Sequence, residues 1–405
     1  MRHPSVRAAA GGLLLGAAVL AVGATGAVAQ AAAPATDAAA AAKQTPRWPQ
    51  LQGDPQHAGF ASAETKLTGQ TVDDLQVAWR APLMRAGELN DSAPVVVGGT
   101  VYAVGREVAA FDAATGAQRW HTPIGGSSFA TPAVGDGLVV AGATTSGIVA
   151  LDAATGAIVW QHPVKSYNSS SITINGDRVF VTVADGLLAL RLQTGDVLWS
   201  KSYPACFCTR STPTFANGLL LVGLGGSGVA AYDATSGTPR WSRTLSSGGG
   251  TSSENWLPAV SGNIVYAGSM SGVAALDLRT GKVNWSNTTD VSAVFAPLAV
   301  TSSAVLVPSE EGGTLVALDR KKGTVLWRND ITGEAGGISA FGSLMWLVRS
   351  NPAGGDGRVD AYSWRTGHRV FSEDLGAVVV GRAPIVVAGH VYSDLGDEVV
   401  SLARP

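Results

Sequence analysis

The chain repeats itself roughly every forty residues, and that period limits its fold more tightly than any other feature. Each copy is an apolar run ending in Ala-Leu/Phe/Tyr-Asp, then Thr-Gly two residues later, then a tryptophan four residues after the glycine. Six copies carry Asp112, Gly116 and Trp120; Asp152, Gly156 and Trp160; Arg191, Gly195 and Trp199; Asp233, Gly237 and Trp241; Asp277, Gly281 and Trp285; Asp319, Gly323 and Trp327. A seventh has Ser363 and Gly367, with Phe371 at the tryptophan position. From Trp79 to Trp327 the tryptophans are spaced 41, 40, 39, 42, 44 and 42 residues apart. That length, filled with Val, Ala and Leu and punctuated by glycine, is one four-stranded antiparallel sheet of a propeller. The Asp caps a turn through its side chain, the Gly supplies a positive φ, and the two join antiparallel strands. The tryptophan then falls on the outermost strand, where its area packs between neighbouring blades. Two further strands precede each hairpin, one marked by small-x-Pro segments such as residues 92–95 and 130–134, the other by apolar runs such as residues 100–104 and 264–267.

The two ends of the repeat fit together. Residues 398–402 read as the third strand of an eighth copy, and residues 75–79, with Trp79, supply the outer strand that copy lacks. The expectation is an all-β, eight-bladed β-propeller of four-stranded antiparallel blades, closed by the N-terminal strand completing the last blade. Closure of this kind removes exposed sheet edges, which favours a ring over a β-solenoid. With 28 Lys+Arg against 30 Asp+Glu the chain has no basic excess, and nucleic acid is not expected as a partner.

Residues 1–29 read as a secretory signal peptide: Arg2, His3 and Arg7, an apolar run, and a small-x-small site ending at Ala29. The run is short and broken by Gly16, Gly23 and Gly26, which speaks against a retained anchor. Residues 30–47 are an alanine-rich linker expected to be disordered, and the propeller domain occupies 48–405. The expected location is secreted or extracytoplasmic, with no stable membrane span after leader cleavage, and the protein is expected to be a monomer.

The Ala-Leu-Asp-x-x-Thr-Gly-x-x-x-Trp signature resembles that of the propellers with pyrroloquinoline quinone (PQQ) repeats, where it is a tryptophan-docking motif. The segment Trp48–Phe60 is similar to the lead-in of secreted bacterial members. The resemblance implies two branches: quinone-dependent alcohol and sugar dehydrogenases, and scaffold propellers such as the outer-membrane assembly lipoprotein. Fold does not choose between them. The enzyme branch implies a calcium ion on oxygen ligands, an Asp base, and basic groups for the quinone carboxylates. On the loops from one blade's outer strand to the next blade's inner strand, the candidates are Asn90, Asp91, Arg210, Glu254, Asn255, Asp290, Glu334 and Arg382. Glu254 and Asn255, after a Gly/Ser stretch and before Trp256, form the most site-like cluster.

Cys206 and Cys208 are separated by one residue where the dehydrogenases have an adjacent pair. In an exported protein a disulfide between them, free thiols and a soft-metal site all stay open. About 45 residues per blade leave little for the long insertions that roof such enzymes, and Cys-x-x-Cys-His, His-Glu-x-x-His and Gly-x-Ser-x-Gly are all missing from the sequence. The favoured expectation is an exported, non-enzymatic propeller that binds a protein or a cell-envelope polymer, with no cofactor. The alternative is a minimal PQQ-dependent dehydrogenase with PQQ and calcium. A third class, sugar or cell-wall binding, rests on the aromatics Trp256, Trp346 and Trp364.

Overall fold

The computed structural model describes residues 47–405 except 65, 85–91, 129, 165–169, 185, 203–210, 226, 247–256, 292–293, 295, 310–312, 332, 351–356 and 377–382. Eight sheets follow one another along the chain. Blade 1 is Val95–Val97, Thr100–Val104, Glu107–Asp112 and Gln118–Pro123, in that spatial order, each strand antiparallel to the last. Blades 2 to 6 repeat the pattern over residues 133–162, 173–202, 214–244, 259–287 and 299–330. Blade 8 joins Ile385–Val387, His390–Asp394 and Glu398–Ala403 to the early strand Gln76–Pro82, with Arg80 opposite Val400. The ring therefore closes as the repeat predicts. Blade 7, over residues 334–374, departs from the rule: Phe60–Ala61 adds a short parallel strand beside Ala340 and Phe341, making five.

The repeated residues do the same work at each blade junction. Asp112 accepts the N–H groups of Ala114 and Thr115, and Arg119 donates to its other oxygen at 2.8 Å. That guanidinium bond, helped by the Thr115 hydroxyl and N–H, holds the carboxyl down at about 2. Gly116 takes φ 72°, and the Trp79 indole lies so close that a Cβ there would sit 2.6 Å from the ring. Only glycine meets both demands. The same indole donates its N–H to the Ala113 carbonyl at 3.2 Å. Trp120, Trp160, Trp199, Trp241, Trp285 and Trp327 each repeat the arrangement on the next blade's hairpin glycine, with N–H to carbonyl distances of 2.7 to 3.1 Å. Blade 8, built from two distant segments, offers no such hairpin to blade 7. There Phe371, with no N–H to place, packs near Trp346, and Leu67, Val72 and Leu75 bury themselves in the same cluster.

Each inner strand has a partner on one side only, so its other edge turns unpaired N–H and C=O groups toward the central bore. Burying them unpaired is costly. The chain answers with its own lead-in. Trp48 exchanges both backbone bonds with Val96 of blade 1. The carbonyls of Pro49, Pro55, Gln56, Ala58 and Gly59 then accept the N–H groups of Val134, Phe215, Val260, Val300 and Ala340, in blades 2, 4, 5, 6 and 7. Blade 3 is served by a side chain, with Gln50 Oε1 accepting the Ile174 N–H at 2.9 Å. These acceptors meet the same position of the repeat in seven successive blades. On blade 8, Glu64 accepts the Gly389 N–H and Lys66 donates to the Ala388 carbonyl.

This strap also fills the bore. Gln50 binds blade 3 while Gln52 reaches Ile338 of blade 7, four blades away in the ring, at 3.0 Å. Trp48, Leu51 and His57 are buried between them, and the His57 ring meets the hydroxyls of Thr214 and Thr173. All the strap's acceptors lie near the tight turns that end the inner strands, such as Gly98-Gly99 and Asn217-Gly218. The chain itself thus occupies the channel at the level of the inner strands, and Glu64 and Lys66 bind the turn of blade 8.

Two expectations follow. Trp160→Ala removes a buried indole and is expected to cost about 3–5 kcal/mol in urea unfolding, against about 0.5 kcal/mol or less for exposed Val159→Ser. Equal losses would contradict the junction's role. Burial raises the Asp54 carboxyl above its ordinary value, although the N–H groups of Ala58, Gln56 and His57 pull it down. A raised folded-state value means the ionised group opposes folding, and the penalty fades as pH falls through that value. Asp54→Asn is therefore expected to be more stable than the native chain at neutral pH, with the gap shrinking in acid; a gap that widens in acid would show that the carboxylate is stabilising.

Candidate functional site

With the channel occupied at its turn end, the loop end, where each outer strand hands over to the next inner strand, is the place to look for a site. Polar residues just before the inner strands, in the small-x-Pro segments of blades 1, 2 and 4 and in Ser170-Ser171 of blade 3, form a belt. Ser92 Oγ donates to Asp394 at 2.9 Å, tying blade 1 to blade 8. Thr131 accepts the Ala93 N–H, Ser171 the Thr131 N–H, and Thr212 the Ser171 N–H, at 3.0 to 3.1 Å. Hydroxyls thus link blades 1 to 4 in sequence, all buried. Across the ring Ser339 Oγ donates to the Pro384 carbonyl of blade 8. Sequence reading took these segments only as strand markers. The hydroxyl at the position before proline, repeated as Thr131 and Thr212, was the available sign of the belt.

Among the described residues, three carboxylates of this end are hydrogen-bonded within the protein. Asp394 holds Ser92 and the Gly396 N–H. Glu107, 5% exposed, binds the His121 ring at 2.8 Å and the Met84 N–H at 3.3 Å. Asp290 accepts the Asn287 amide at 2.9 Å while its own N–H goes to Asn287 Oδ1, a reciprocal turn cap, and its carbonyl takes Arg328 of blade 6.

Of the sequence-predicted site residues, Asp290 is the one whose surroundings the structure describes. Asn90, Asp91, Arg210, Glu254, Asn255 and Arg382, and both Cys206 and Cys208, lie outside the described residues. Glu334 begins the inner strand of blade 7. Asp290 is exposed, and its Asn287 contact uses one carboxylate oxygen, Oδ2. Among the described residues no group of three or more His, Cys, Asp and Glu could hold a metal ion. The aromatic reading needs correction for two of its three members. Trp346 and Trp364 are 0% and 3% exposed, because the first lies in the core beside Phe371 and the second donates to the Gly342 carbonyl. Trp256 lies outside the described residues.

Comparison with known proteins covers both branches. The family described as outer membrane protein assembly factor BamB matches residues 105–329 and 311–403. A second, glucose/ethanol/alcohol dehydrogenase β-propeller domain, matches residues 48–129, the strap and blade 1. The outer membrane protein assembly factor BamB of Burkholderia pseudomallei is 27% identical over 268 residues, 64% of this chain and 70% of that protein. The tetrathionate hydrolase of Acidithiobacillus ferrooxidans is 24% identical over 280 residues, 65% of this chain but 52% of that protein. In structure, the quinohemoprotein alcohol dehydrogenase of Comamonas testosteroni superposes with a TM-score of 0.71 at 16% identity, over 89% of this chain and 81% of that one, a likeness of fold alone. With its repeat, its eight blades and a family match over most of its length, the chain belongs to the PQQ-like propeller family of the outer membrane assembly factor BamB.

Proposed function

We propose that the chain is an exported, non-enzymatic propeller that presents the loop end of its ring to a protein or cell-envelope polymer outside the cytoplasm. The observation that carries this reading is the strap. It occupies the bore at the turn end with its own backbone, and the inner turns there are tight two-residue links. The connections at the other end, such as residues 203–213 and 245–258, are among the longest between strands, and variable loops on a rigid frame are where binding residues accumulate. Relationship to an outer membrane assembly factor supports a partner that is a protein, and the leader-like N-terminus supports export. No helix of the described residues is long and apolar enough to cross a membrane.

A minimal PQQ-dependent dehydrogenase is kept as the second reading because residues 48–129 match the dehydrogenase propeller domain. It requires Glu254, Asn255, Asp290 and a basic partner such as Arg210 or Arg382 to converge on the channel at one end.

Two measurements test the proposal. After incubation of the full chain with quinone and calcium, no bound chromophore and no dye-linked alcohol oxidation are expected; clear turnover would overturn the non-enzymatic reading. Photo-crosslinking residues placed at Arg210 or Asn255 should yield partner adducts in the producing cell, while the same residues at Gly99 or Asp136 of the turn end should yield none. Adducts confined to the turn end would reverse the assignment of the binding face.

A further inference from the structure

The hairpins that join third to fourth strands share a conformation but not a charge. In blades 1 to 7 each lies at the same end of the ring as the inner turns, running from the cap residue to the tryptophan position. Those of blades 1 to 4 carry Arg119, Arg191 and Arg240 against Asp112, Asp152, Asp196 and Asp233. All three guanidiniums are engaged: Arg119 and Arg240 pair with their own cap carboxylates at 2.8 and 2.6 Å, and Arg191 with Asp177 at 3.6 Å. The guanidinium bonds hold Asp112 and Asp233 down at about 2, so both pairs stay formed across the neutral range.

Blades 5 to 7 reverse the balance. Their hairpins hold seven Arg and Lys against two carboxylates, Asp277 and Asp319, because the cap of blade 7 is Ser363. Asp277 accepts the N–H and hydroxyl of Thr280, and Asp319 accepts the N–H groups of Lys321 and Lys322, so these caps bond their own turns. Arg320 is engaged by the Tyr266 hydroxyl and the Thr301 and Ser261 carbonyls. The other six, Arg279, Lys282, Lys321, Lys322, Arg365 and Arg369, are exposed and form no ion pair with a described residue. Their frame is rigid, since Gly281, Gly323 and Gly367 rest on the indoles of Trp241, Trp285 and Trp327. Just beyond the same turns Val283, Val325 and Leu326 are exposed as well.

The whole chain has a net charge of -2, so this arc stands against an acidic remainder. Such a distribution orients the molecule, drawing one face toward a broad anionic surface and keeping the rest away. Cations spread over three neighbouring rims and interleaved with exposed aliphatic side chains suit the headgroup level of a bilayer better than one narrow acidic peptide.

We infer that the turn-end hairpins of blades 5 to 7 dock the propeller on an anionic phospholipid surface, with these six cations taking headgroup phosphates. The inference does not rest on the loop-end reading. Docked this way, the ring turns its loop end away from the bilayer.

The test sediments the full chain with vesicles of phosphatidylglycerol and phosphatidylcholine in equal parts, and with vesicles of phosphatidylcholine alone, at low salt. The readout is the ratio of the two affinities, in which any apolar segment that enters both bilayers alike cancels. The expected ratio is well above one and falls toward one at high salt. Lys321→Gln/Lys322→Gln changes two exposed side chains and keeps the backbone bonds to Asp319, and it should lower the ratio at least about tenfold. Arg119→Gln/Arg240→Gln removes the same charge from blades 1 and 4, and should leave the ratio within about twofold because both guanidiniums are already paired. Equal affinity for the two vesicles would overturn the inference, and so would equal losses in the two variants, which would reduce the effect to net charge. Saturable binding of soluble poly-glutamate, lost in the Lys321/Lys322 variant and with no preference between vesicles, would overturn it in favour of an acidic protein segment.

Discussion

Everything else in this structure depends on the unpaired inner edge of its blades. A four-stranded blade satisfies its backbone across its three internal strand boundaries and leaves its inner edge facing the central bore. The strap from Trp48 to Lys66 resolves that problem with carbonyl contacts to blades 2, 4, 5, 6 and 7, a glutamine side chain at blade 3 and a two-bond pair at Val96 of blade 1. Its hydrogen bonds tie the first-formed residues of the domain to every blade, so the ring is held from within as well as at the join between Gln76–Pro82 and Glu398–Ala403. The function proposed for the loop end follows from this, because the chain has used the other end of the channel for itself.

The outer part of the ring is held by a different interaction. Each indole rests on the next blade's hairpin glycine and donates to a carbonyl of the same hairpin, which couples burial of a large ring to one directed bond. The arrangement repeats from Trp79 to Trp327 and stops at Phe371. Blade 7 therefore differs from its neighbours three times over: an extra parallel strand from the strap, a phenylalanine at the junction, and the Arg349–Asp360 pair in its second and third strands. The irregular blade is where the ring departs most from its repeat.

The repeat was legible because its markers are side chains. Asp112, Gly116 and Trp120 each do something only that residue type does well, and the copies register against one another by eye. Blade number, closure by the strand through Trp79 and the hairpin chemistry were all readable for that reason. The strap was not, although its sequence was noticed. Its bonds come from the carbonyls of Pro49, Pro55, Gln56, Ala58 and Gly59, and a backbone carbonyl leaves no mark in a sequence. The hydroxyl belt was half visible, as Thr131 and Thr212 before prolines, but its meaning needs the neighbouring blade in view. Asp290 was readable as a loop carboxylate, but its exchange of bonds with Asn287 three residues earlier needs the geometry. The Arg349–Asp360 pair was visible as the one copy that places charge where the others place uncharged residues. Attention to what the copies share hid what one of them changes.

The central claim is that the strap is an integral part of the ring and occupies the bore at its turn end. Native-state hydrogen exchange of the Val134, Phe215, Val260, Val300 and Ala340 amides tests it most directly, since each has a strap carbonyl as its acceptor. If the account is right, these five amides exchange together and only through the global unfolding that also exposes the central strands, with a common dependence on denaturant. If they exchange through a separate, low-energy opening while the blade interiors stay protected, the strap is a detachable tail, and the turn end is open to solvent.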